Sequence, residues 1–265
     1  MRLLRKLWRS RALRWGATLF FAGFLVPQAF GLAAFYVGKA GAMNWWEARR
    51  DSTNQSPDPA TTPEAVIEVY AARAFKWRGA FGVHTWIAAK PSHAERYIRY
   101  EVIGWRHYRG LSALAVHNGV PDGYWFGNRP QKLKSLRGEG VDAIIEKIAA
   151  AAERYPYPNS YRVWPGPNSN TFTAFVGREV PELGLDLPPL AIGKDFPTNG
   201  SIIDRVPSGS GYQLSLYGLA GILLAKEEGL ELNLLGLTFG IDAFTPALKL
   251  PGIGRIGFPQ DGTSD

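Results

Sequence analysis

The chain has 265 residues, 46% hydrophobic and 20% charged, which suits a globular protein with a sizeable core and excludes an intrinsically disordered one. Its formal charge of +7 is concentrated at the start: residues 1 to 16 hold six basic residues and no acid, leaving +1 for the rest, so no basic patch points to nucleic acid. The absence of cysteine excludes disulfides, thiolate metal sites and a cysteine nucleophile together.

Residues 15 to 38, "WGATLFFAGFLVPQAFGLAAFYVG", carry no charge and follow a basic tail at 1 to 14. A bilayer core takes about 20 apolar residues of helix, so the length predicts a single transmembrane helix. The positive charges place the tail in the cytoplasm and the remainder across the inner membrane, with the lipid bilayer as the partner of residues 15 to 38. Pro27 is tolerable in such a helix, and Trp45 and Trp46 suit the headgroup level. The alternatives are a cleaved signal peptide, for which "AGAM" at 40 to 43 offers small residues, and a buried core helix.

A linker is expected over 39 to 61, polar and proline-bearing from residue 49 onward, then a folded extracytoplasmic domain over 62 to 258 and a tail at 259 to 265. Thr62, Pro63 and Glu64 form a helix-start pattern, followed by Val66, Ile67, Tyr70, Ala74 and Trp77 at helical spacing up to Gly79. Strand character marks 80 to 90, 97 to 105 and 111 to 118, close enough in sequence for an antiparallel meander. A helix is predicted over 141 to 155, and a second from about Asn168 to Arg178 after the loop "WPGP". The last third consists of short apolar stretches punctuated by glycine, read as strands or a short helix and strand, with no internal repeat. These elements predict an α+β fold: one antiparallel sheet with flanking helices behind the transmembrane helix.

The four histidines, His84, His93, His107 and His117, form no HExxH or other helical pair, so no metal is expected. The glycines of "PSGSGYQ" and "GIGRIGF" lack the flanking elements of a phosphate or dinucleotide loop, and no cofactor is expected. Lys194 and Asp195 read as a local ion pair on a loop.

Three polar residues stand in unusual places. His84 lies mid-strand, Glu101 lies mid-strand in the next run, and Ser169 opens a helix. A strand histidine oriented by a neighbouring carboxylate can serve as a base for a hydroxyl at a helix N-terminus, where free N–H groups, joined by Asn168 or Asn170, could hold an oxyanion. The structural reading of the same residues is an N-cap at Asn168 or Ser169, a sheet histidine, and an ion pair of Glu101 with Arg99 or Arg106. Trp86, Trp125, Phe126 and Trp164 are candidate aromatic contacts for a ligand.

The strings "HTWIA", "YEVIGW", "WPGPNSNTF" and "LPGIGR" resemble an uncharacterised bacterial family, a domain of unknown function often found behind an N-terminal membrane segment. More distantly, "HTWIAA" before "NSNTF" resembles the permuted NlpC-type papain-like proteins, including lecithin:retinol-acyltransferase-like enzymes, with Ser169 at the cysteine position. That resemblance implies a papain-like groove in which His84 matches the base and Glu101 the orienting residue. Two functions follow as expectations. One is a non-catalytic envelope module binding an unknown ligand. The other is a serine-dependent hydrolase or acyltransferase acting on envelope amides or esters.

Overall fold

In the computed structural model, which describes residues 11–37 and 44–258, the chain begins with helix α1 (Arg11–Val37). Residues 1–10 of the expected basic tail, the "AGAM" stretch and the tail at 259–265 lie outside the described residues. Next come β1 (Val66–Arg73), a 3-10 turn (Lys76–Ala80), β2 (Val83–Lys90), β3 (Ile98–Val102), the one-turn α2 (Gly104–His107), β4 (Leu114–Asn118) and β5 (Gln131–Arg137). Helices α3 (Val141–Arg154) and α4 (Ser169–Glu179) follow. The rest is strand: β6 (Ile203–Arg205), β7 (Gly211–Leu216), β8 (Ala220–Ala225), β9 (Gly229–Leu234), β10 (Leu237–Asp242), β11 (Ala247–Leu250) and β12 (Gly254–Gly257).

The expected α+β fold with one sheet and flanking helices, and with it a permuted papain-like arrangement, is corrected by this topology. The protein is β-rich, with two antiparallel sheets: one of five strands in the order β4-β3-β2-β1-β5, and one of seven running β12 to β6 in sequence order. The glycine-punctuated last third, too interrupted for a long helix, folds into consecutive hairpins instead. The expected helix over 62 to 79 is strand β1, at the heart of the first sheet. Its first seven residues are buried, and a strand covered on both faces reads as a near-continuous apolar run, here interrupted only by Glu68, that mimics helical spacing by chance.

The predicted N-terminal transmembrane helix is corrected as well. Among the described residues no helix is long and apolar enough to cross a membrane. Helix α1 contains Pro27, and Gln28 donates to the Phe24 carbonyl at 3.0 Å. It lies against the protein: Phe24 stacks on Phe239 of β10 at 5.7 Å, and Gly31 meets the backbone of Gly252 so closely that a Cβ would be 2.6 Å from its carbonyl oxygen.

Helices α3 and α4 cover one face of the first sheet, and the main core forms there from Ile67, Val69, Ile87, Val102, Ile148, Phe172 and Val176 among others. The other face is covered by chain segments expected as linker and loop. Ser52 Oγ donates to Asp122 Oδ1 at 2.7 Å and the Gln55 amide to Asp122 Oδ2 at 2.6 Å, pinning residues 52–55 over the sheet.

The second sheet is inverted in polarity. Its inward face is polar and buried. Lys249 Nζ donates to Asp186 at 2.7 Å and to Glu231 at 2.7 Å, and Lys194 Nζ donates to the other Glu231 oxygen at 2.6 Å. Lys194 thus pairs with Glu231, not with its neighbour Asp195, which accepts instead from Asn233. The outward face is apolar. Tyr212, Leu224, Leu230, Ile241, Leu248 and Ile256 are opposite one another across six strands, and every one is exposed. A second row, Ile203, Leu214, Ile222, Leu232 and Phe239, runs beside it.

Candidate functional site

Alternation along β2 decides which residues share a face. Thr85 points to α4, where its hydroxyl lies 3.0 Å from Asn170 Oδ1 and 2.9 Å from Thr173 Oγ1. His84 therefore faces the opposite side, together with Trp86. Register pairs Ile87 with Tyr100 and Ala88 with Arg99, so Glu101 of β3 lies opposite Trp86 and diagonal to His84.

Glu101 is the centre of a buried polar cluster. Its Oε2 accepts from His84 Nε2 at 2.9 Å and from Arg99 Nη2 at 3.0 Å, and its Oε1 accepts from His117 Nε2 at 3.0 Å. Burial alone would raise the Glu101 pKa, but Arg99 and the two imidazoles outweigh it and hold the carboxyl well below the usual carboxylate range. Burial lowers the pKa of His84 despite Glu101, whereas the hydrogen bond to Glu101 raises that of half-exposed His117.

His84 is thus a neutral imidazole whose Nε2–H is committed to a carboxylate, which leaves Nδ1 as the free lone pair. Its ring is packed among aromatic rings. Trp125 stacks on it with centroids 3.6 Å apart and 12° between planes, and Trp86 lies 5.7 Å away. Arg99 is held over Trp86, with Cζ 4.5 Å from the ring centroid.

His84 lines a cleft of about 560 Å³. Its walls are mostly aromatic, formed by Trp45, Phe75, Trp105, Tyr108, Trp125, Phe126 and Tyr161. Three arginines, Arg50, Arg78 and Arg109, also line it, and no acidic residue does. Each guanidinium is carried on an aromatic ring: Arg50 over Phe126 at 4.6 Å, Arg78 over Trp77 at 5.4 Å and Arg109 over Trp105 at 5.3 Å. Among the described residues none of the three is in an ion pair. The cleft therefore combines apolar walls, uncompensated positive charge at its rim and one hydrogen-bond acceptor at its base.

The expected site residues separate into two groups. His84, Glu101 and Trp125 come together at the cleft, whereas Ser169 begins α4 on the other side of the sheet and makes no hydrogen bond to His84 among the described residues. Asn168 caps α4: its Oδ1 accepts from the amides of Asn170 at 2.9 Å and Thr171 at 3.2 Å, while Thr171 Oγ1 accepts from the Asn168 amide at 3.1 Å. Asn170 is buried and donates to the carbonyls of Val83 and Ile192. Trp86 has no exposed surface and supports Trp125 from beneath, its Nε1 donating to Pro121 O at 2.6 Å. Trp164 is exposed, is not among the residues that line the cleft, and donates to Leu235 O.

The sequence reading missed His117 and the three arginines. His117 was discoverable, because it pairs with Arg99 in β4 and so shares the face of Glu101 once the meander is drawn. The arginines sit on turns and segments distant in sequence, and no periodicity links them. Among the described residues no group of three or more His, Asp and Glu side chains is arranged to hold a metal ion.

A family model described as "Protein of unknown function (DUF3750)" matches residues 64–196, half of the chain. The match runs from the start of β1 past the end of α4 and contains the Glu101 cluster and most of the cleft wall, so the resemblance to an uncharacterised family is borne out over that span. No curated protein and no solved structure matches the chain.

Proposed function

The chain belongs to this family of unknown function, and from the cleft we propose that it is a binding protein for an anionic amphiphile. The observation that carries the reading is the make-up of the cleft: around one concavity stand seven aromatic rings and three arginines that form no ion pair among the described residues, with no carboxylate among the lining residues. Aromatic walls remove an acyl chain or other apolar body from water at roughly 25 cal/mol per Å². Such a site discriminates its ligand by charge, because an anionic head meets guanidinium groups already held on rings and so loses little side-chain entropy on binding.

His84 adds direction. Its free Nδ1 can accept a hydrogen bond from a ligand hydroxyl, while Glu101 fixes the ring and its tautomer. The stack on Trp125 holds the imidazole in plane. This is an orienting role. It needs no nucleophile, and Ser169 has no part in it.

The test compares a long-chain fatty acid with the alcohol of the same chain length, each displacing a fluorescent fatty acid from the purified protein. Saturable displacement by the acid, at least about tenfold stronger than by the alcohol and reduced to the level of the alcohol in Arg78→Gln/Arg109→Gln, supports the reading; tenfold corresponds to about 1.4 kcal/mol. Equal displacement by acid and alcohol, or displacement that never saturates, contradicts it.

A further inference from the structure

We propose that the outward face of the second sheet is a membrane-docking surface that lies on anionic lipid. The inference is independent of the cleft and rests on a different observation, the inverted polarity of this sheet. Lys194 and Lys249 point inward and pair with Asp186 and Glu231 there, while Tyr212, Leu224, Leu230, Ile241, Leu248 and Ile256 form an exposed row across six strands. A contiguous apolar face of this extent marks an interaction site.

Three features choose lipid over a protein partner. First, the two rows present no charged or amide side chain. A protein interface carries about one hydrogen bond per 100–200 Å² and a polar rim, whereas a hydrocarbon boundary asks for neither. The backbone of the inner strands is already satisfied by ladder hydrogen bonds, as contact with lipid requires. Second, the apolar face continues onto α1, which packs on it through Phe24 and Phe239 and exposes Leu25, Val26 and Phe30. Third, the charge is complementary. Residues 1 to 14, the last four of which form the first turn of α1, hold six basic residues and no acid, a run that anionic headgroups attract at about 1 kcal/mol per charge. Exposed Tyr217, Phe244 and Phe258 at strand ends suit the headgroup level.

The chain contains no cysteine, so a single label can be placed at will. The full chain carrying Leu224→Cys, labelled with an environment-sensitive nitrobenzoxadiazole dye, is mixed with vesicles of phosphatidylcholine and phosphatidylglycerol with or without brominated acyl chains. Glu146→Cys, on the exposed side of α3, is the control. Docking predicts a blue shift at position 224 only on adding vesicles, and at least about twofold quenching by the brominated chains, with neither at position 146. The proposal is overturned in any of three ways: the chain does not associate with the vesicles; it associates while the label at 224 stays in water; or the label is already shielded before vesicles are added, in a concentration-dependent manner that identifies a second copy as the occupant.

Discussion

Leu248 and Lys249 are neighbours in β11 with opposite surroundings: the leucine is 44% exposed and the lysine 1% exposed. The lysine bridges Asp186 and Glu231, and this ionic network fixes which face of the sheet turns inward. Burial would lower the Lys249 pKa, but the two carboxylates outweigh it and raise it, so the lysine remains charged. Removing one member of a buried ion pair strands the others, so Lys249→Ala should cost about 3–5 kcal/mol. Leu248→Gln, on the exposed face, should stay within about 0.5 kcal/mol in the absence of lipid. Urea unfolding of the two variants measures both. A leucine variant that loses as much as the lysine variant would show that the outward face is buried in solution.

The two histidines on Glu101 should give opposite pH dependences. The folded-state pKa of His84 is lowered, so protonation favours the unfolded chain, and stability should fall as pH drops below about 6.5. The folded-state pKa of His117 is raised, so the stability it adds is complete below about 6.5 and is lost as pH rises through its folded value. Glu101 is held low, so its contribution is present above about pH 4.3 and lost on further acidification. Urea midpoints measured at about pH 5, 6.5 and 8 should therefore drop less on the acid side in His84→Asn, and less on the alkaline side in His117→Asn, than in the parent chain. Identical profiles for all three proteins would remove the assignment.

Asn168 and Ser169 are adjacent and should respond differently. The Asn168 side chain receives two amide hydrogen bonds at the start of α4 and donates to the carbonyls of Val163 and Ile192. Asn168→Ala should cost about 2 kcal/mol, the upper end for a lost cap, because buried carbonyls also lose a donor. Ser169→Ala should cost under about 1 kcal/mol, since among the described residues Thr85 and Thr173 donate to the Ser169 backbone carbonyl and not to its hydroxyl. A fluorophosphonate probe should not label Ser169. Labelling that disappears in Ser169→Ala would restore the serine-dependent reading.

Local signals in the sequence carried some elements faithfully. The β2-β3-β4 meander and the helices beginning at Val141 and Ser169 follow from short-range pattern, turn residues and caps. His84 and Glu101 were legible as a pair because they lie on consecutive strands. What failed was long-range. Strand β1 pairs with β2 and β5 across the centre of the sheet, and its Thr62-Pro63 start imitates a helix cap that tertiary pairing overrides. The second sheet was hidden by its inverted polarity: Leu230-Glu231-Leu232-Asn233 alternates as a strand should, but which face is inside depends on Lys194 and Lys249, 37 and 18 residues from Glu231. The arginines of the cleft meet only once the loops are folded.

The central claim is that an anionic amphiphile seats its chain in the aromatic cleft against Trp125. Quenching of tryptophan fluorescence by a brominated fatty acid tests it most directly, with the parent chain set beside Trp125→Phe. The account predicts saturable quenching in the parent and part of it missing in Trp125→Phe, which keeps the ring contact but removes one of the three tryptophans that line the cleft. Because Trp45 and Trp105 also line the cleft, the same titration is run on Trp45→Phe/Trp105→Phe/Trp125→Phe, and quenching of undiminished amplitude in that triple variant would place the chain elsewhere and contradict the cleft as the binding site.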